Sequence, residues 1–236
     1  MLLDRAALKQ RAKETIKTSQ PSVISVGVVV LILSIIINML SARLMGLNMS
    51  QSELENYMTY FSQGNYDAAL QYIDRMQPPG GAHIIDLLLT VIRSVLEVGF
   101  IIFLLNTIRS CQPCFGNLLD GFGFFVKIIL LNILTAVFIT LWSMLLFVPG
   151  IIAAYRYSQA IYILADDPTK SPMQCLRESK AMMRGHKMEL LKLNLSFFGW
   201  YLLASLPTMG YAVQVWTLPY TSMTYALYYE KLAYDV

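Results

Sequence analysis

The chain has 236 residues, enough for one or two soluble domains, yet 56% of it is hydrophobic, only 14% is charged, and the mean hydropathy is +0.52. Ordinary globular domains carry about 25% charged residues, so this sequence lacks the polar material to cover a water-exposed surface of its size. A net charge of +3, with no long basic run interleaved with aromatics, excludes a nucleic-acid partner.

The first segment, residues 1–20, reads MLLDRAALKQRAKETIKTSQ. Leu8, Ala12 and Ile16 recur every four residues, with Leu3 and Ala7 on the neighbouring row, which predicts a basic amphipathic helix. Arg5, Lys9, Arg11, Lys13 and Lys17 place it on the cytoplasmic membrane surface, its cations among anionic headgroups. A solvated leader that only sets topology accounts for the same pattern. Residues 21–236 are then expected to form a single transmembrane helical domain. The apolar run Pro21–Ala42 exceeds the ~7–15 apolar residues of a secretory signal and is followed by no small-x-small cleavage pattern, so a retained first span is expected, about Val23 to Leu40.

Residues 44–83 form an extracytoplasmic helical loop holding Glu53, Glu55, Asp67 and Asp74 against Arg75. SQSE at Ser50–Glu53 is a capping box and marks a helix start. GNYDAALQYIDR resembles one helix of a tetratricopeptide unit, but a single copy cannot bury its own face. PPGG at Pro78–Gly81 ends that helix. Further spans are expected at about Ile84–Ile108, Ile128–Val148, Ile151–Ala165, Leu190–Leu206 and Tyr211–Tyr229. The fold class is therefore all-α, a polytopic transmembrane bundle of about six spans with basic amphipathic interfacial helices. Crossing a bilayer takes about 20 apolar residues. Spans four and five fall short, so the alternative is four spans plus two re-entrant hairpins with Pro149 and Pro207 at their tips. Trp142 and Trp200 each stand seven residues before those prolines, a pattern consistent with an internally duplicated hairpin.

Between spans four and five, residues 166–189 are read as a cytoplasmic interfacial helix. Ser171 is its N-cap, Pro172 its first residue and Gly185 its left-handed stop. Leu176, Ser179 and Met183 share a face with Cys175 and Met182, while Arg177, Glu178 and Arg184 point away. The six-span alternation puts 14 of the 18 Lys and Arg residues on one side, with Arg43 and Arg75 on the other. That bias predicts a cytoplasmic N-terminus and C-terminus in the cytoplasmic membrane.

Leu141-Trp142, Pro149-Gly150, Tyr157, Ala165-Asp166, Pro168, Ser179, Met182-Met183, Gly185-His186-Lys187, Ser196-Phe197, Gly199-Trp200 and Pro219-Tyr220 run in the order and spacing of a known set, with Gly121-Phe122 before span three. On these residues the chain, from about Gly121 to its C-terminus, resembles the bacterial integral membrane proteins of domain of unknown function 975. The resemblance implies a bacterial cytoplasmic membrane and no defined activity. That family is distantly similar to the membrane domain fused to some glycerophosphodiester phosphodiesterases, which implies a lipid-facing module without catalytic residues of its own.

Candidate chemistry is sparse. Arg93 and Glu97, four apart within span two, together with Arg156 in span four, form a candidate intramembrane polar site, because ionisable groups in spans are expensive. An ion pair that tethers span two to its neighbours is the favoured account of the first two, since an i,i+4 pair satisfies both charges locally. Arg184, His186 and Lys187 are candidate lipid-headgroup contacts at the turn into span five. Asn106, Asn132 and Asn194 are expected to be interhelical hydrogen-bonding groups. Cys111 and Cys114 form C-Q-P-C without a second pair or a nearby histidine, and Asp166-Asp167-Pro168 reads as a helix stop, so neither a metal nor a cofactor is expected. No nucleophile or phosphate-binding motif stands in the chain. The expectation is a non-enzymatic envelope protein whose partners are membrane lipids with anionic headgroups, a protein partner or a second copy of itself. The alternative is a small transporter or permease component built on Arg93, Glu97 and Arg156, and the third reading, a lipid-modifying enzyme using His186 with Asp166 or Asp167, ranks last.

Overall fold

The computed structural model describes residues 4–45, 51–75, 78, 80–206 and 210–234, and every regular element among them is helical. The chain divides into two compact units, Met1–Leu31 with Ser94–Val236, and Ile32–Arg93.

In the first unit, α1 (Arg5–Thr18) starts at Asp4, whose carboxylate accepts the Ala6 and Ala7 N–H groups at 2.9 and 3.2 Å. Two orphan donors of the first turn are thereby satisfied. The predicted stripe of Leu8, Ala12 and Ile16 is buried. It packs on α13 (Gly210–Tyr234), a protein surface. Ala7, on the neighbouring row, is exposed, and Leu3 lies outside the described residues.

Three helical stretches are long and apolar enough to cross a membrane: α2 (Val23–Leu44), α5 (Ala82–Ile108), and the stretch Asn117–Leu145. The last comprises α6 (Asn117–Asp120), a 3-10 turn (Gly121–Phe124) and α7 (Phe125–Leu145). α7 leaves Ile133, Val137, Leu141 and Leu145 exposed, a lipid-compatible surface with no charge on it. α5 and α6 meet backbone to backbone at Gly99, where a Cβ would stand 2.2 Å from the Leu118 carbonyl oxygen.

The described helices depart from six uniform spans. Span four divides into α8 (Phe147–Tyr157) and α9 (Ala160–Asp166), broken at Ser158–Gln159. Span five divides into α11 (Lys187–Leu195) and α12 (Phe198–Ala204), broken at Ser196–Phe197. Span six, α13, is one helix with Pro219 inside it, and its buried threonines Thr217, Thr221 and Thr224 return their hydroxyls to carbonyls three or four residues back. Polar residues satisfied in this way lower the apolar character of the span without leaving unpaired groups. Leu146, extended at φ −163°, makes the turn between α7 and α8, so Pro149 sits in the first turn of α8 rather than at the hairpin tip. Pro207, the other expected tip, lies outside the described residues.

α10 (Pro172–Met182) follows its expected start and stop. Ser171 Oγ accepts the Gln174 N–H at 3.3 Å, and Gly185 adopts φ +92°, the left-handed conformation that a side chain disfavours. Cys175, Leu176, Ser179 and Met183 are buried, Arg177 and Arg184 exposed. The buried face meets α7, α8 and α9.

The second unit contains the later part of α2, α3 (Gln51–Ser62), α4 (Tyr66–Arg75) and the first turns of α5. Ser41 Oγ donates to the Asp86 carboxylate, tying α2 to α5. Asn65 Oδ1 accepts the Ala68 N–H at 3.2 Å to start α4, and Phe61 lies edge-on to Tyr66. Ser50 of the expected capping box lies outside the described residues.

Candidate functional site

The first unit carries two charged clusters with different surroundings. One gathers where α5 ends, α9 ends and α13 ends. Arg109 donates through Nε and Nη2 to Glu230 at 3.1 and 2.9 Å and through Nη1 to Asp166. Tyr229 and Tyr234 donate their hydroxyls to the second Asp166 oxygen at 2.8 and 2.9 Å. The guanidinium lies 4.9 Å from the Tyr234 ring centre. A planar fork meeting one carboxylate through two nitrogens and a second carboxylate through a third is a strong, directional joint. Burial pulls the Asp166 carboxyl upward, but the hydrogen bonds from Arg109, Tyr229 and Tyr234 outweigh it and hold the group below the ordinary value. Nearby, Lys127 Nζ at the start of α7 donates to the carbonyls of Pro168 and Thr169 at 2.6 and 3.1 Å.

The second cluster is the face of α1. Arg5 Nη1 donates to the Lys192 carbonyl at 3.4 Å and Lys9 Nζ to the Ser196 carbonyl at 3.2 Å. The four-residue step is the same on both helices, so α1 runs alongside α11 in the same direction. Both carbonyls lie at the C-terminal end of α11, where that of Lys192 also accepts the Ser196 N–H at 3.2 Å. Lys9 also stands 4.1 Å over the Phe197 ring and Lys13 lies 5.7 Å from that of Tyr220. Further along, Lys13 and Lys17 border a cavity of about 360 Å³ whose walls are Ile16, Ile24, Trp200, Trp216 and Tyr220. Both lysines are exposed, and among the described residues no carboxylate is ion-paired with them. The cavity thus combines two exposed lysines with apolar and tryptophan walls.

The residues expected to act from sequence lie as follows. Arg93 and Glu97 both stand on α5 and both have interaction partners. Arg156, near the end of α8, places its guanidinium 5.7 Å from the Trp142 ring centre. His186 Nδ1 and Glu189 Oε2 lie 2.9 Å apart, and the His186 carbonyl accepts the Tyr228 hydroxyl at 3.1 Å. The turn is thus held to α13 through its backbone while Arg184 stays exposed and Lys187 half-buried. Asn132 Nδ2 donates to Ser94 Oγ at 2.9 Å, the interhelical role expected of it. Cys111 and Cys114 are both free and exposed, and Cys175 is buried in α10, where burial pushes its thiol up to about 11. Among the described residues no group of three or more His, Cys, Asp or Glu is placed to hold a metal. Asp166 was visible as a helix stop. Its partners Arg109, Tyr229 and Tyr234 stand 57, 63 and 68 positions away in sequence, and no local pattern announces that meeting.

An all-α chain with three helices long and apolar enough to span a bilayer defines the class, a helical membrane protein. Within that class, residues 144–235 match the model of a family described as a protein of unknown function (DUF975). The resemblance drawn from the sequence motifs therefore holds over α8 to α13, the part that carries both charged clusters' contacts on α9, α11, α12 and α13. No curated protein and no solved structure matches the chain.

Proposed function

We propose that this chain is a non-enzymatic integral protein of a bacterial cytoplasmic membrane that binds anionic phospholipid through the face formed by α1, α12 and α13. The observation that carries the reading is the cavity at Lys13 and Lys17, two cations without carboxylate partners among the described residues, bordering a hollow walled by Trp200, Trp216 and Tyr220. Tryptophan and lysine favour the headgroup level, where the ring is half wet and the ammonium meets phosphate. Unpaired cations are too expensive in hydrocarbon, so α1 and the α11–α12 segment alongside it lie at headgroup depth. The membrane is then crossed by α2, α5, α7 and the α8–α9 return, which leaves both termini on the cytoplasmic side with most of the Lys and Arg residues, as the charge bias requires.

The test uses the full chain in detergent mixed with equal amounts of phosphatidylglycerol and phosphatidylcholine, with retained lipids counted by native mass spectrometry. Phosphatidylglycerol is expected to be retained selectively. Each lysine near an anionic surface contributes about 1 kcal/mol, so the double variant Lys13→Ala with Lys17→Ala is expected to bind roughly 30-fold more weakly. Equal retention of the two lipids by the unaltered protein sinks the reading.

A further inference from the structure

A second hollow, distinct from the lysine cavity, lies where α8, α9, α11 and α13 meet. It encloses about 500 Å³ and is bordered by Tyr155, Ser158, Gln159, Tyr162, Asn194 and Tyr225, none of them charged. The break between α8 and α9, at Ser158 and Gln159, forms part of its wall. At that break the Gln159 N–H donates to Ser179 Oγ of α10 at 3.2 Å, and Ser179 Oγ donates in turn to the Arg156 carbonyl at 2.9 Å. The backbone of the break is therefore satisfied, and the Gln159 side chain is left at the cavity wall, only 3% exposed. Its Nε2 donates to Ser158 Oγ at 3.1 Å, while its Oε1 is buried with no hydrogen-bond partner among the described residues. Such orphaned buried acceptors are rare in folded proteins and cost about 1–3 kcal/mol.

Most of the other polar groups are already committed. Asn194 Nδ2 donates to the Tyr155 hydroxyl at 3.2 Å, Asn194 Oδ1 accepts the Tyr225 hydroxyl at 2.8 Å, and the Tyr225 oxygen in turn accepts the Tyr201 hydroxyl at 3.1 Å. What the site lacks is a donor for Gln159 Oε1, which a turn of the loosely restrained terminal amide torsion brings to the cavity. A charged ligand finds no counter-ion on these walls, so phosphate, carboxylate and ammonium groups are excluded by desolvation. A purely apolar chain leaves the carbonyl orphaned. Three tyrosines line the cavity, and an aromatic ring can pack against the C–H side of a saturated ring.

We propose that this cavity binds an uncharged polyhydroxyl group of sugar size, with a ring hydroxyl donating to Gln159 Oε1 and the tyrosine rings flanking the ring's apolar face. Two sources offer that chemistry, the headgroup of a glycosyl lipid and a free sugar.

The full chain is purified in an amine-oxide detergent, which carries no sugar, and thermal unfolding is followed with glucosyl diacylglycerol, with unglycosylated diacylglycerol, and with free glucose. A stabilising shift with glucosyl diacylglycerol alone supports the site and assigns it to lipid. A shift with glucose as well supports it and assigns it to a soluble sugar. An equal shift with glucosyl diacylglycerol and the unglycosylated lipid, or no shift with either sugar-bearing compound, overturns it. In the Gln159→Leu variant, which removes the acceptor, the sugar-dependent affinity is expected to fall about tenfold; an unchanged affinity overturns the proposal. Should that variant not fold, Ala154→Phe, also in the cavity lining, is expected to narrow the hollow and abolish the same shift. Phosphatidylglycerol retention at the lysine cavity is expected to be unaffected, which separates this proposal from the anionic-lipid reading.

Discussion

The cations of Arg109 and of Lys13 and Lys17 lie in the same unit and have opposite fates. Arg109 is consumed by its neighbours: two carboxylates and a phenol fill its donors, and an aromatic ring covers its plane. Among the described residues, the lysines of α1 meet carbonyls, rings and a hollow but no carboxylate. A cation whose charge is cancelled inside the protein holds helices together, whereas an exposed one without a carboxylate beside it keeps its charge open to its surroundings. In the proposed function, that charge serves lipid phosphate.

That contrast is most easily broken at Arg109. Arg109→Ala leaves the half-buried carboxylates of Asp166 and Glu230 facing each other without a counter-ion. Breaking a buried pair costs about 3–5 kcal/mol, and partial solvent access at this site reduces the figure to roughly 2–3 kcal/mol. The measurement is the thermal unfolding midpoint in detergent, where a clear drop is expected, and a midpoint equal to that of the unaltered protein removes the clamp from the account. Arg109→Lys is expected to recover only part of the loss, because an ammonium cannot serve both carboxylates with a fixed fork.

A smaller effect comes from acid. Asp166 is held below its ordinary value of 3.8 in the folded chain, so the unfolded state takes up its proton first as pH falls. The stability this carboxylate contributes is fully present above about pH 4 and is lost as pH drops through the folded value. Unfolding midpoints are expected to be insensitive to Asp166 titration between pH 7 and 5 and to decline below pH 4, more steeply in the unaltered protein than in Asp166→Asn. Parallel acid profiles for the two proteins contradict the assignment.

The smallest effect sharpens the other side of the comparison. Replacing Lys13 and Lys17 with methionine is expected to change the unfolding midpoint in lipid-free detergent by no more than a degree or two, because exposed charges away from buried features contribute within about 0.5 kcal/mol. A large loss of stability identifies these lysines as structural after all.

Much of this arrangement was legible in sequence because local rules govern it. The spacing of Leu8, Ala12 and Ile16 gave the buried stripe of α1, and Ser171, Pro172 and Gly185 gave the ends of α10. Hydropathy gave α2, α5 and α7 as continuous apolar helices. Local rules miss what depends on distant residues. The stripe of α1 reads equally as lipid-facing or protein-facing, and only the position of α13 decides. The breaks at Ser158–Gln159 and Ser196–Phe197 carry no proline or glycine at the break itself, so no punctuation announces them. The meeting of Arg109, Asp166 and Glu230 is a property of three helix ends brought to one place, and the paired apolar–cationic character of the lysine cavity appears only once Trp200 and Trp216 are set beside α1.

Ser179 has a role beyond closing a local gap. Its hydroxyl stands between the Arg156 carbonyl and the Gln159 amide like a splice joining two lengths of rope, so the bend in the α8–α9 rod is fastened to a different helix. A shift of α10 cannot leave that bend unchanged: it must stretch the splice or carry the rod with it. The tyrosine-lined hollow is therefore geared to α10, and a pull on that helix is felt at Gln159 without any contact between the puller and the cavity.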